Sequence, residues 1–192
     1  MRKIVLASLS PRRRQLLEWA ELEFDILARE TRENYPDGLS KEEIPVYIAR
    51  QKALTVQSLP LYQRYEARLP ILAADTVVML DGRAIGKPES IEDAVNMLKA
   101  LSGKKHEVIT GVVILEDEKE IAFADITEVE FHPIDEADIR YYVNKYNPLD
   151  KAGAYAIQEW IGIIGIKSVN GDFYNVMGLP ISRVLHALRD HF

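Results

Sequence analysis

Residues 69–80 read LPILAADTVVML, and how this stretch is read decides the fold. Apart from Asp75 and Thr76 the run is apolar, which marks a strand covered on both faces. Asp81-Gly82 follows as a turn signal and predicts a short return strand. Upstream, Ser40-Lys41-Glu42-Glu43 has the form of a capping box, a serine with glutamate three residues on. It predicts a helix running toward Ser58, with Pro45 tolerated in its first turn.

Working outward, Lys3 to Ser8 predicts a buried strand, Pro11 to Ala20 a helix with Leu16, Leu17 and Ala20 facing inward, and Phe24 to Ala28 a strand. A second capping pair, Ser90 with Asp93, opens a helix to Leu101. His106 to Glu116 and Ile121 to Phe131 read as a hairpin around Asp117-Glu118-Lys119. Pro133 to Asn144 predicts a helix. Trp160 to Val169 reads as a glycine-punctuated strand closed by Asn170-Gly171. Leu179 to His191 reads as a terminal helix with Pro180 in its first turn. Helices and strands are mixed, and sheet partners lie far apart in sequence. The class is α/β or α+β with a mixed sheet.

Totals narrow the function. The 192 residues suit one domain, or two small lobes sharing a core. No apolar run approaches the roughly 20 residues of a membrane helix, and no export signal precedes the first strand. The chain has no cysteine, which removes thiolate nucleophiles and thiolate metal sites and fits a reducing compartment. Its four histidines lack zinc spacing, so any metal would have oxygen ligands, which suit magnesium or manganese. A net charge of −6 makes the chain a poor general nucleic-acid binder. Residues 1–14 nevertheless carry five basic residues and no carboxylate.

Three of those cations sit in Ser10-Pro11-Arg12-Arg13-Arg14. Serine before proline is a helix start. A cation in a first turn opposes the helix dipole by roughly 0.3–1 kcal/mol. Three together fit a phosphate seat of arginine forks and backbone amides, and equally a solvated cluster. Asp75 poses a sharper problem, because an ionised carboxylate in an apolar strand needs a partner. With Thr76 beside it, it fits a metal or water site; accepting backbone N–H bonds at a bend is the alternative. Gly86-Lys87 approximates a phosphate loop but fails its spacing, and Pro88 stands where Ser or Thr would be needed. Lys87 is still presented on a rigid turn. Gln158 carries an amide able to read a base edge, its donor and acceptor matching uracil or thymine. Taken alone, Glu33, Lys52 and Gln158 read as ordinary polar positions, His106 as a satisfied structural residue, and Tyr141 and Tyr142 as helix packing.

In order along the chain stand LASLSPRR (6–13), ADTVV (74–78), GKP (86–88), HEVITGV (106–112), DKAGAYAIQ (150–158) and NVMGLP (175–180). This ordered set resembles the Maf family of nucleoside triphosphate pyrophosphatases over nearly the whole chain. The resemblance implies a mixed α/β fold, a bent sheet flanked by helices, in two lobes around a central cleft, similar to the ITPase-like pyrophosphatases. It implies hydrolysis of a nucleoside triphosphate to the monophosphate and pyrophosphate. Arg12, Thr76 and Gln158 match the specificity positions of the dTTP/UTP branch. Asp75 matches the proton acceptor and, with Glu33, a metal site for Mg²⁺ or Mn²⁺. Ser8, Arg13, Lys52 and Lys87 match phosphate-binding positions. Members often carry a paired acid at the Glu33 loop, where this chain reads Thr31-Arg32-Glu33. A cytoplasmic, nucleotide-binding homodimer without nucleic-acid or membrane partners is the matching expectation. The rivals are a non-catalytic regulator of septum formation and an ITPase-like purine pyrophosphatase. Arg14 matches no functional position.

Overall fold

The computed structural model describes residues 2–31, 34–65 and 68–192. In chain order the strands are β1 (Ile4–Leu6), β2 (Phe24–Ile26), β3 (Ile71–Leu80), β4 (Arg83–Ile85), β5 (Lys105–Glu116), β6 (Lys119–Phe131) and β7 (Ile166–Asn170). The helices are α1 (Pro11–Trp19), α2 (Glu43–Gln57), α3 (Ile91–Leu101), α4 (Glu136–Tyr146), α5 (Trp160–Gly165), α6 (Phe173–Met177) and α7 (Ile181–His191). Short 3₁₀ turns cover Tyr62–Arg64, Pro148–Asp150 and Ala152–Ala154. The strands hydrogen-bond in the order β2-β1-β3-β5-β6-β7, with β4 on β3. β1 runs parallel to β2 and β3, whereas β4 is antiparallel to β3 and β7 antiparallel to β6. The sheet is therefore mixed, as expected. No described helix is long and apolar enough to cross a membrane.

The chain divides into two compact units. The first comprises residues 1–75, 110–125 and 178–192, and the second 76–109 and 126–177. In the first, Val5, Ile71, Ala73, Val113 and Leu115 from the strands and Ala7 just after β1 pack with Ala49, Ala53 and Val56 of α2. α2 lies close because Gly111 has no side chain. A Cβ there would stand 2.2 Å from the Val46 nitrogen and 2.3 Å from the Pro45 carbonyl carbon. In the second unit α3 and α4 bury Leu98, Leu101, Ile139 and Tyr142. Across their exposed faces Lys99 meets Glu136 at 2.7 Å, and Arg140 bridges Glu136 and Glu92.

Local chemistry explains most boundaries. Ser10 caps α1, accepting from Arg13 N–H at 3.5 Å. At α2 the Ser40 hydroxyl accepts from Glu43 N–H at 3.2 Å and the Glu43 carboxylate accepts from Ser40 N–H at 2.8 Å, the reciprocal box. Ser90 accepts from Asp93 N–H, but Asp93 answers Glu89 N–H, one residue earlier than a capping box. Asp81 and Gly82 both have positive φ, 50° and 76°, which is the type I′ hairpin requirement.

Four expectations are corrected. Residues 160–165 form a helix, and only 166–170 form a strand. Ile161 is buried while Ile163 is 80% exposed, which a strand alternating every second residue would not allow. Gly162 makes the turn possible, since a Cβ would meet the Ile157 carbonyl oxygen at 1.9 Å. α4 begins at Glu136 behind Asp135 rather than at Pro133. α7 begins at Ile181, with Pro180 as its N-cap, and the preceding segment forms the unforeseen α6. Ala20 is the C-cap of α1, half-buried rather than on its inward face.

The approach at Gly111 is testable. Both clashing atoms belong to backbone, so Gly111→Ala should cost at the upper end of about 1–3 kcal/mol. Thermal denaturation should show Tm lowered by about 6–12 °C. Gly86→Ala, where a Cβ meets nothing within 4 Å, should leave Tm unchanged.

Candidate active site

β3 carries the candidate centre. Ile71, Leu72, Ala73 and Ala74 are fully buried, and Asp75 follows at 7% exposure. The carboxylate is met by Lys52 of α2, whose Nζ donates to Asp75 Oδ1 at 2.6 Å. The two side chains are 16% and 10% exposed. Little water screens the pair, and neither charge could stay there alone. Lys52 lies on the inward side of α2 near the buried Ala49 and Ala53, which carries its ammonium to the strand.

The loop from β1 to α1 supplies a second cluster. Ser8 and Arg13 are each 8% exposed. The Ser8 hydroxyl accepts from Ser10 N–H at 3.2 Å and from an Arg13 guanidinium nitrogen at 3.2 Å. Arg13 Nε also donates to the Gly178 carbonyl at 2.8 Å, so one arginine ties the SPRR and NVMGLP motifs. Arg12 is half-buried, and Arg14 makes an i,i+4 pair with Glu18 at 2.7 Å, the ordinary surface role its lack of a motif match suggests.

The structure thus brings Lys52 to Asp75 and Ser8 to Arg13 within the first unit. Thr76, Lys87 and Gln158 belong to the second unit. Thr76 is half-buried, Lys87 exposed beside the buried Pro88, and Gln158 exposed after five buried residues. Glu33 lies outside the described residues, as does Arg32. Among the described residues no group of three or more His, Cys, Asp or Glu is placed to hold a metal ion. Among the described residues the one buried carboxylate is Asp75. That donor set fits an ion bound by one or two carboxylates together with substrate phosphates, the usual habit of Mg²⁺, and not a closed protein cage.

Sequence reasoning missed two features. The Lys52–Asp75 pair joins residues 23 apart, and neither spacing nor periodicity announces it. The other is Lys151, a lysine 7% exposed, paired with Asp150 at 2.8 Å and facing Glu159 at 3.6 Å. Its only signal is its place between Asp150 and the small-residue run that leads into the buried residues 153–157. His106 is buried as a structural residue would be, but it is not fully satisfied as expected, since its buried Nδ1 has no hydrogen-bond partner. It is 2% exposed, with Nε2 2.7 Å from the Tyr155 hydroxyl and its ring edge-on to Phe131 and Tyr155.

Burial pushes the His106 pKa down to about 4, because the imidazolium would be desolvated. Between about pH 4 and 6.5 the unfolded chain therefore binds a proton that the folded one refuses, and stability rises with pH. The contribution is complete above pH 6.5 and is lost as pH falls toward 4. Denaturant melts at pH 7 and pH 4.5 should show a fall of up to about 2–3 kcal/mol attributable to this group. In His106→Gln the difference between the two pH values should shrink by that amount.

The family described as Maf-like protein matches residues 3–191. A Cytophaga hutchinsonii protein named dTTP/UTP pyrophosphatase is 50% identical over 192 residues, 98% of this chain and 84% of that protein. Proteins of the same name from Bacteroides thetaiotaomicron and Porphyromonas gingivalis (strain W83) are 47% and 45% identical. They cover 97% and 98% of this chain and 95% and 94% of their own length.

Proposed function

The chain belongs to the Maf-like protein family, and from that membership we propose that it hydrolyses dTTP and UTP to the monophosphate and pyrophosphate. The observation that carries this reading is the buried Asp75 carboxylate held by Lys52 at 2.6 Å. An apolar strand has no structural need of such a pair, whereas phosphoanhydride hydrolysis needs an acid-base group with a fixed position.

In the proposed reaction water attacks the α-phosphorus in line, and the bond from that phosphorus to the bridging α–β oxygen breaks. The water proton passes to Asp75, and pyrophosphate leaves with the bonding pair. Lys52 holds the Asp75 oxygen in place, so the carboxylate meets the water without first reorganising. Arg12, Arg13, Lys52 and Lys87, with Ser8, offset the charge of the triphosphate. Such catalysis rests mainly on positioning and electrostatics. Arg12, Thr76 and Gln158 select the base. Asp75 and Glu33 would hold a Mg²⁺ or Mn²⁺, which when bound supplies charge stabilisation to the phosphate oxygens. A nucleotide-pool cleaning enzyme working as a cytoplasmic homodimer is the corresponding assignment.

The deciding assay offers dTTP, UTP, CTP, GTP, ITP and 7-methyl-GTP with Mg²⁺ or Mn²⁺, and measures pyrophosphate and orthophosphate separately. Pyrophosphate from dTTP and UTP is expected, and EDTA should abolish it. Orthophosphate alone, or no turnover, overturns the proposal. Asp75→Asn should lower kcat about tenfold to a hundredfold or more with an unchanged circular dichroism spectrum. Near-normal turnover in that variant would remove Asp75 from the proton-accepting role.

A further inference from the structure

The segment that ends in Gln158 is fastened more heavily than packing requires. Residues 153–157 are buried and Gln158 emerges from them exposed. Ala156 N–H donates to the Tyr142 oxygen at 3.3 Å, and the Tyr142 hydroxyl in turn donates to Glu159 Oε2. The other oxygen of that carboxylate, Oε1, faces Lys151 Nζ at 3.6 Å, and Lys151 Nζ reaches Asp150 Oδ1 at 2.8 Å. Lys151 and Glu159 stand at the two ends of the segment, so this chain of contacts closes it into a loop. Two further ties hold its middle. Gly153 N–H donates to the Gly86 carbonyl at 3.1 Å, and the Tyr155 hydroxyl meets His106 at 2.7 Å. Within the loop Ala154 has φ 60°, a conformation alanine keeps only where the surroundings over-determine it.

Stability is a weak explanation for the charged part. The Lys151 side chain is 8% exposed and that of Glu159 23%, and a pair so far from water gains little over apolar packing. What such a network does supply is a single geometry. An amide needs one. Gln158 can offer acceptor and donor to the N3–H and O4 of uracil or thymine, but rotated by half a turn it fits cytosine equally. Discrimination therefore depends on how the amide is held, not on its presence.

We propose that Tyr142, Lys151 and Glu159 are positioning residues for base selection: they close residues 151–159 on themselves and fix the backbone from which the Gln158 amide projects. This rests on the assignment of Gln158 to base recognition made above.

The test is a double-mutant cycle. Steady-state kcat and KM are measured with UTP and with CTP for the wild type, Tyr142→Phe, Gln158→Ala and the double variant, alongside Tm. Tyr142→Phe removes the hydroxyl and keeps the ring. It should lower the UTP-over-CTP ratio of kcat/KM about tenfold, mainly through KM for UTP. Gln158→Ala should lower the same ratio, and the double variant should fall no further than Gln158→Ala. A purely structural role would lower Tm and both substrates alike, leaving the ratio intact, and that result overturns the proposal. So do losses in the two variants that multiply. If Gln158→Ala itself leaves the ratio unchanged, the base-recognition assignment fails and the positioning role with it. A collapsed ratio in Gln158→Ala with an unchanged one in Tyr142→Phe overturns the positioning role alone. Should Tyr142→Phe not fold, Glu159→Gln replaces it, since the amide still accepts from Tyr142 but no longer presents a charge to Lys151. A severalfold lower ratio is expected, and an unchanged one overturns the proposal.

Discussion

A carboxylate stays ionised inside a buried strand only with partners that stabilise its charge, and Lys52 meeting Asp75 at 2.6 Å supplies one in the first unit. It constrains the helix as much as the strand. Lys52 stands seven residues, two helical turns, beyond Pro45, and so on the same side of α2. Pro45 and Val46 come against Gly111 so closely that no Cβ fits between them. Ala49 between these points and Ala53 just beyond them are fully buried and small. The close approach at one end of the face delivers the ammonium at the other. A bulkier side chain at Gly111 would push the helix outward and take Lys52 with it.

Among the described residues the buried cations Arg13 and Lys151 also have polar partners. Arg13 meets the Ser8 hydroxyl and the Gly178 carbonyl, and Lys151 meets Asp150 and Glu159. Exposed candidates follow a different pattern. Lys87 stands beside the buried Pro88, and Gln158 follows five buried residues. In each case an exposed polar group projects from backbone flanked by buried residues, which lowers the ordering cost of meeting a ligand.

Local signals were legible where the physics is local. Ser10, Ser40 and Ser90 each cap a helix through a bond to the third residue on, and Asp81-Gly82 makes the turn its φ preferences require. The ordered motifs identified the family and named Asp75, Arg12, Thr76 and Gln158 as candidates. Reading failed at WIGIIG, because a short apolar run of isoleucine and glycine satisfies strand and helix periods alike. Contacts decided it: Gly165 lies against Ile134, Trp160 packs on Tyr141 and Gly162 lets the Ile157 carbonyl approach. Glu159, next to Gln158 in sequence, gave no sign of its link to Tyr142, since hydrogen bonds across 17 residues leave no periodic trace.

By itself the sequence determined the fold class, the family and the chemical types available: one carboxylate in an apolar strand, a cluster of arginines at a helix start, and an amide after a small-residue run. Those follow from residue identity and short-range spacing. Tertiary structure alone decided which cation answers Asp75, that Arg13 is tied to the Gly178 carbonyl, and that Lys151 and Glu159 close the loop behind Gln158. The reason is that partner choice for a buried charge depends on distance in space, which chain separation does not encode. A residue's type says that it needs a partner, and only the fold says which one comes within reach.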